Sequence, residues 1–393
     1  MSPAYSYGPA ASDDERDALI DIQCQCFRAT RADIAGATAR AGDANVRVVR
    51  SGDRVVGGLW LVPMGQFFGG RSVPTAGIAG VGIDPAERGR GAASALMADA
   101  LAEQRRDGVA LSTLYPATLP LYRRAGYELA GCRWLNSIPL ASLAVRCNEP
   151  ALRLAGPEDF AAMEDCYRRF ASGRAGYLDR GAYIWQRVRA PKGVTARHFV
   201  VEEQGRVEGH VTLTQVDSTD GGFYDLALTD AVATTSGAAR RLLAFLSSHA
   251  SMARNVSFHG CMFHPLLAQV PEWLSKVELA LPWMLRIVDI TAALEARGYA
   301  RGLALELQLS VVDDVLPENT GRYRLLVEDG VGKVEPGGHG GLSLDVRGLA
   351  ALYSGRATPD ELRLAGLADG EASDRELAAT VFAGPAPSMS DMF

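Results

Sequence analysis

The sequence predicts a mixed α/β (α+β) fold built from more than one domain, and three observations carry that reading. Helical and strand-like hydrophobic patterns alternate along the chain. A strand-like run enters a glycine-rich turn near residue 89 that opens a helix, and 393 residues exceed what one core of ~100–200 residues accommodates. A composition of 48% hydrophobic and 22% charged residues is that of a globular chain, neither collagen-like, disordered nor disulfide-stapled.

Each element follows from local chemistry. Ser12-Asp13-Asp14-Glu15 fits a capping box, after which Leu19, Ile22 and Cys26 share one helical face over residues 12–27. Val46–Arg50 and Arg54–Val62 flank Ser51-Gly52-Asp53 as a hairpin. Gly69-Gly70-Arg71 turns the chain into an extended run, Val73–Ile83. From Gly89 to Arg106 the period becomes helical, with Ala92, Ala93, Leu96, Met97, Ala100 and Leu101 on one side. Val109–Leu114 then reads as strand, Pro120–Arg124 as a short helix ended by Gly126, and Tyr127–Trp134 as strand.

A second block repeats this order without the glycine-rich turn. Pro157-Glu158-Asp159 opens a helix, Phe199–Glu203 and Val207–Gln215 are strands, and Ser236–His249 is an amphipathic helix. A third block has strands at Leu303–Val312 and Gly321–Glu328 and helices at Val346–Leu352 and Pro359–Leu364. The expected domains are therefore 1–145, 146–283 and 284–393. The Gly337–Gly341 run lacks the Lys-Ser/Thr of a phosphate loop and reads as a turn.

With 40 basic and 46 acidic residues, a net charge of −6 and no long run of either sign, an electrostatic nucleic-acid partner is not expected. No stretch approaches the ~20 apolar residues of a membrane span, and the start carries no secretory pattern. Six scattered cysteines (24, 26, 132, 147, 166, 261) read as buried free thiols of a cytoplasmic protein. The histidines show no metal-binding spacing; His259 and His264 read as loop and core, and no metal is expected.

The residues that carry chemistry are Val81, Gly82, Ile83 and, after Asp84-Pro85-Ala86-Glu87, Arg88, Gly89, Arg90, Gly91, Ala92 and Ala93. A helix N-terminus has four backbone N–H groups without internal partners and the positive end of the macrodipole. Small residues at 89 and 91–93 let a diphosphate approach the backbone, and Arg88 and Arg90 add positive charge.

Arg88-x-x-Gly91-x-Ala93 after a strand resembles the coenzyme-A signature of the GCN5-related N-acetyltransferases (GNAT family). The resemblance implies acetyl-CoA as cosubstrate, two splayed strands flanking the helix, and a pantetheine arm hydrogen-bonded to the backbone of Val81 and Ile83. Val73–Ile78, Leu121–Tyr127, Trp283–Asp289 and Ala292–Ala300 narrow the resemblance to the enhanced-intracellular-survival (Eis) branch, over nearly the whole chain. It implies an active N-terminal GNAT domain, a degenerate central copy and a C-terminal sterol-carrier-protein-like (SCP2-like) domain, assembled into homo-oligomers, trimers or hexamers.

The same resemblance assigns roles. Tyr122 falls where the family places its general acid, and a phenol of pKa ~10 is a reasonable donor to a departing thiolate. Tyr127 opens a strand and reads as core. The family's base is the carboxylate of the last residue, here Phe393. Direct transfer to a primary amine of a small molecule or peptide is implied, because no cysteine stands where the family uses one.

Departures bear on the acceptor. Relatives that take polycationic aminoglycosides carry an acid after the first-helix phenylalanine, where this chain has Phe27-Arg28, and Ala79 replaces an expected serine. A pocket without that carboxylate holds a multiply charged amine less well, so a less cationic acceptor is expected unless Glu202, Glu203 or Asp391 compensates. The alternatives are a longer acyl-CoA donor, or a non-catalytic apolar-ligand carrier acting through residues 303–353.

Overall fold

The computed structural model describes residues 5–393 with the exception of 192, 193, 195, 219, 220, 271 and 273. Two compact units form. One holds the residues up to Gly131, then Trp283–Ala386 and Phe393; the other holds Cys132–Pro282 and Pro387–Met392.

In chain order the first third gives β1 (Tyr5–Pro9), α1 (Asp13–Phe27), α2 (Arg31–Ala41), β2 (Val46–Ser51), β3 (Arg54–Phe68), β4 (Arg71–Ile83), α3 (Ala92–Arg106), β5 (Leu111–Leu114), α4 (Leu119–Arg124) and β6 (Glu128–Pro139). The middle third gives β7 (Ala151–Leu154), α5 (Phe160–Ser172), β8 (Leu178–Asp179), α6 (Ala182–Arg189), β9 (Arg197–Glu203), β10 (Arg206–Val216), β11 (Tyr224–Ala233), α7 (Ser236–Ser247), β12 (Ala253–Gly260) and β13 (Lys276–Ile287). The last third gives α8 (Ile290–Ala296), β14 (Ala304–Val312), β15 (Gly321–Glu328), β16 (Val331–Pro336), β17 (Leu342–Asp345), α9 (Val346–Ser354), α10 (Pro359–Leu364), β18 (Ala368–Asp369) and α11 (Ala372–Val381).

In the first unit the strand order is β1-β2-β3-β4-β5-β13. The neighbours pair antiparallel except β4 with β5, and the closing pair runs from Met284 opposite Leu114 to Ile287 opposite Leu111. Its apolar core joins Val49, Leu59, Leu96, Met97 and Leu101 to Met284, Val288 and Leu316, so α3 and the closing strand share one interior. A five-stranded sheet, β16-β15-β14-β17-β18, completes this unit. In the second unit β7, β9, β10, β11 and β12 lie in the order that β1 to β5 take in the first, again with one parallel pair, β11 with β12. Its closing strand is the Trp134–Pro139 part of β6.

Several expectations shift. Ser12 Oγ accepts from the Glu15 amide, but the Glu15 carboxylate turns to the Ala11 amide and to Arg50, so the box is only half formed. The buried face of α1 is Leu19, Ile20, Ile22 and Gln23, with Cys26 only half-buried. Helix α2 has no counterpart in the sequence reading, and α3 begins at Ala92 rather than Gly89 because Gly89 and Gly91 are left-handed, at φ +78° and +97°. All six thiols are free, yet only Cys166 is buried, which corrects the expectation of buried cysteines. His264 is buried between Phe170 and Phe258, where desolvation pushes its pKa down to about 3. Gly337, Gly338 and Gly340 all have positive φ, as a tight turn between β16 and β17 requires. Among the described residues no helix is long and apolar enough to cross a membrane.

Candidate active site

Strand β4 reaches the turn through a bulge. Gly58 pairs with Gly82 and Trp60 with Ala79, so Gly80 and Val81 together oppose Leu59. Gly80 adopts φ +61°, and its carbonyl accepts the buried Gln23 amide at 2.6 Å. On its other side β4 pairs with β5 only from Thr75–Leu111 to Gly77–Thr113. Past that point the two strands part, and a cleft of about 630 Å³ opens.

Beyond Ile83, the Asp84 side chain accepts from the Ala86 amide and starts a single 3-10 turn, Pro85–Glu87. Arg54 binds Asp84 at 2.8 Å and also the buried Glu87, pinning the turn from β3. Gly91 then caps α3, which has no side-chain cap and no acidic residue in its first turn. Nothing lies within 4 Å of a Cβ built on Gly89 or Gly91, so their glycine character answers to backbone conformation and not to crowding. This helix end, at Gly91, Ala92 and Ala93, thus lines the cleft with no side-chain cap on its first amides, and Glu87, held by Arg54, lines the same cleft.

The cleft brings together most of the residues singled out from the sequence: Phe27, Val81, Ile83, Arg88, Gly89, Gly91, Ala92, Ala93 and Tyr122 all line it. Gly82 instead faces α1, where a Cβ would meet Gln23 Cγ at 3.2 Å and Cys26 Sγ at 3.6 Å. Arg90 leans back to within 3.6 Å of Glu87, and Ala79 is buried opposite Trp60; neither lines the cleft. Sequence reasoning missed Arg124, Thr118 and Cys26, which do. The two arginines on Arg123-Arg124 were visible as the end of a helix, but helical phase alone does not say which one turns to the cleft. Arg88 Nη2 lies 3.5 Å from Cys26 Sγ.

Tyr122 sits on α4 with its ring edge-on to Tyr127, centroids 6.1 Å apart. Burial pushes its phenol up to about 12, so it is a committed proton holder near neutrality. Tyr127 is a core residue, wholly buried and donating to Ser112 Oγ at 2.7 Å. The Phe393 ring lies against Gly77 and, at 5.6 Å between centroids, against Tyr115, which follows the end of β5. It thus rests where β4 and β5 separate.

The three acids named as possible compensation each have a partner within the second unit. Glu202 pairs with Arg153 at 2.6 Å, and Asp391 is buried against Arg180 at 2.9 Å. Glu203 accepts from Thr235 Oγ1 at 2.8 Å at the start of α7, and Thr235 also caps that helix by accepting from the Ala238 amide. The second unit's counterpart of the α3 end thus carries a side-chain cap that α3 lacks.

A strand, a left-handed glycine turn, an uncapped helix start and a split sheet define an acyl-coenzyme-binding transferase fold. Comparison with known proteins agrees. Residues 9–130 and 176–287 each match an acetyltransferase (GNAT) domain, and residues 290–390 match a sterol carrier protein domain. A crystal structure of a GCN5-related N-acetyltransferase from Anabaena variabilis superposes with a TM-score of 0.94 at 36% identity, covering 99% of this chain and 100% of that one. An uncharacterised N-acetyltransferase of Streptomyces avermitilis is 30% identical over 76% of this chain and 75% of its own length. The N-acetyltransferase Eis of Mycobacterium tuberculosis is 27% identical over 72% of this chain and 71% of its own length. The chain belongs to the GCN5-related N-acetyltransferases, in the Eis-like branch, with two GNAT domains and a C-terminal sterol-carrier domain. It is an enzyme of that family, which uses acetyl-CoA.

Proposed function

We propose that this enzyme transfers an acetyl group from acetyl-CoA directly to a primary amine of a small molecule or peptide. The observation that carries the reading is the meeting, in one cleft, of the uncapped α3 N-terminus, the freed edge of β4 and the Tyr122 side chain. The diphosphate would sit on the backbone of residues 89–93 with Arg88 beside it, and the pantetheine arm would run along Val81 and Ile83 as an added strand. None of these contacts involves a metal.

A neutral amine attacks the thioester carbonyl, forming the C–N bond, and the tetrahedral intermediate expels coenzyme A as the C–S bond breaks. Tyr122 donates its proton to the leaving sulfur, and the proton released by the amine nitrogen restores the phenol through solvent. With its phenol near 12, Tyr122 acts mainly as a hydrogen-bond donor to developing negative charge, its proton moving late. The α-carboxylate of Phe393 would hold the incoming ammonium and accept or relay its proton, and the seat of its ring beside Gly77 and Tyr115 favours this role.

Phe27, in the cleft and nearly half exposed, remains the proposed acceptor-side residue, whereas Ala79 is buried opposite Trp60 outside the cleft lining. Arg28 follows as the left-handed cap of α1, at φ 51°, where aminoglycoside-accepting relatives carry an acid; Glu87, the acid that does line the cleft, is held by Arg54. An acceptor of low positive charge, or one carrying its own carboxylate, suits this better than an aminoglycoside. A cytoplasmic setting and a homo-oligomeric state belong to the same proposal. The test is thiol release from acetyl-CoA over aminoglycosides, polyamines, lysine peptides, aryl amines and amino-acid-like amines. Turnover is expected with the weakly cationic groups, and release from none of them would overturn the proposal.

A further inference from the structure

Helix α4, which carries Tyr122, has six residues. A helix that short is not stable on its own in water, so the position of the phenol depends on what grips the helix. Its C-terminal turn passes through Gly126 at φ +84°, with the Ala125 and Tyr127 amides both donating to the Tyr122 carbonyl at 3.0 Å. The α-carbon of Gly126 is pressed onto Arg286: a Cβ there would lie 2.8 Å from Nε, 2.9 Å from Cζ and 3.1 Å from Val346 Cγ1.

Arg286 is itself held from the third block. It is wholly buried, and its Nη2 lies 2.7 Å from both carboxylate oxygens of Asp313. Asp313 is further fixed by the amides of Val315 and Leu316 and by Asn319 Nδ2. A second system grips the other side of the same turn. Arg123, next to Tyr122, binds Glu128 at 2.7 Å, and Glu128 also takes Arg347 of α9 at 3.2 Å.

Burying a charge pair is a poor route to stability, since apolar packing of the same volume generally does as well or better. The Nε of Arg286, buried without a hydrogen-bond partner, adds to that cost. What such pairs supply is fixed orientation. We propose that Arg347, through Glu128 and Arg123, and Asp313, through Arg286, are positioning residues that hold the α4 turn and with it the Tyr122 hydroxyl. The sterol-carrier segment is then a working part of the acetyltransferase site, independent of any apolar ligand. This rests on Tyr122 acting as the general acid.

Arg347→Ala is the variant of choice, because its side chain is 30% exposed and its loss leaves no buried charge unpaired, Glu128 keeping Arg123. Its kcat should fall about tenfold with the KM for acetyl-CoA unchanged, and Arg347→Lys should recover much of the loss. In a Tyr122→Phe background Arg347→Ala should cost nothing further, whereas a general weakening of the fold lowers kcat by the same factor in both backgrounds. A wild-type kcat in Arg347→Ala, or that equal factor, overturns the proposal while leaving the role of Tyr122 intact. An unchanged kcat in Tyr122→Phe alone overturns the general-acid reading, and the positioning role with it.

Discussion

The Phe393 ring occupies the space a side chain at Gly77 would need: a Cβ there would come within 2.8 Å of Cδ2 and Cε2 of the ring and 2.7 Å of Met64 Cε. Met64 is flexible at its tip and moves aside easily, so the ring is the obstacle. Gly77→Ala should therefore lift Phe393 from its seat and lower kcat about tenfold or more. A chain ending at Met392 should lose at least as much. Adding Gly77→Ala to that shortened chain should cost little more, which steady-state kinetics on the four proteins measures.

Tyr122→Phe removes the proposed donor and keeps the ring against Tyr127. Its kcat should drop by about 10²–10⁴ with the affinity for acetyl-CoA retained, as calorimetry and thiol release together report. Deprotonation of Tyr122 abolishes the donor, so its limb in the pH profile falls as pH rises through the value of about 12 that burial sets. The wild-type kcat should accordingly show no decline from this group up to pH ~10.

At Gly91 the open space around the α-carbon separates conformation from crowding. An alanine there must hold φ near +97°, at a strain of about 1–2 kcal/mol, or move the helix start off the geometry proposed to bind the diphosphate. The KM for acetyl-CoA should rise roughly tenfold with kcat unchanged. Arg88→Ala should also raise KM, and should weaken its dependence on ionic strength.

In the second unit, Arg180 joins Asp230 at 2.7 Å and Asp391 at 2.9 Å, with the Arg180 side chain fully buried. Burial opposes the Asp230 charge, but Arg180 and His210 outweigh it and hold its pKa below the ordinary range. A lowered folded-state pKa is stability present in full above the unfolded value of ~3.9 and lost as pH falls below it. Asp230→Asn should cost about 1–3 kcal/mol at neutral pH, because charge-assisted hydrogen bonds from Arg180 and His210 are weakened while Arg180 keeps Asp391. Denaturant titrations at pH 7 and near pH 3 should find that difference shrinking at the acid end.

Much of this was legible in the chain itself, for reasons that differ by element. The glycine turn could be read because left-handed backbone demands glycine at fixed spacing, and the short helix ended by Gly126 was visible in the pattern, while the roles expected of Arg88–Ala93 and Tyr122 rested on the family resemblance. Helix α2 escaped notice because Ile34 is the one strongly apolar residue among its buried positions, Thr38 and Ala41 being small and weakly apolar, and Gly36 interrupts the pattern. The bulge at Gly80 and Val81 leaves no compositional trace, since it is a matter of register against Leu59. The pairing of Met284–Ile287 with β5 joins residues about 170 positions apart, a distance over which hydrophobic periodicity carries no information. The small and polar residues before Phe393 have no periodicity that would show how they dock. Yet Pro387 and Met389 exchange backbone hydrogen bonds with Cys132, and Met389 is fully buried.

The parting of β4 and β5 after Gly77 has a thermodynamic side as well. Among the described residues, Ile78–Ile83 pairs with β3 alone, so one row of backbone groups in the interior of a sheet has no strand beside it. Such a row is where a sheet most easily opens. A coenzyme arm laid along it, as proposed, would supply the missing ladder and would make the acetyl donor a folding ligand as well as a substrate. At a hundred times its dissociation constant, a ligand bound only by the native state adds about 2.7 kcal/mol of stability. Donor supply would then set how long the enzyme survives as well as how fast it turns over.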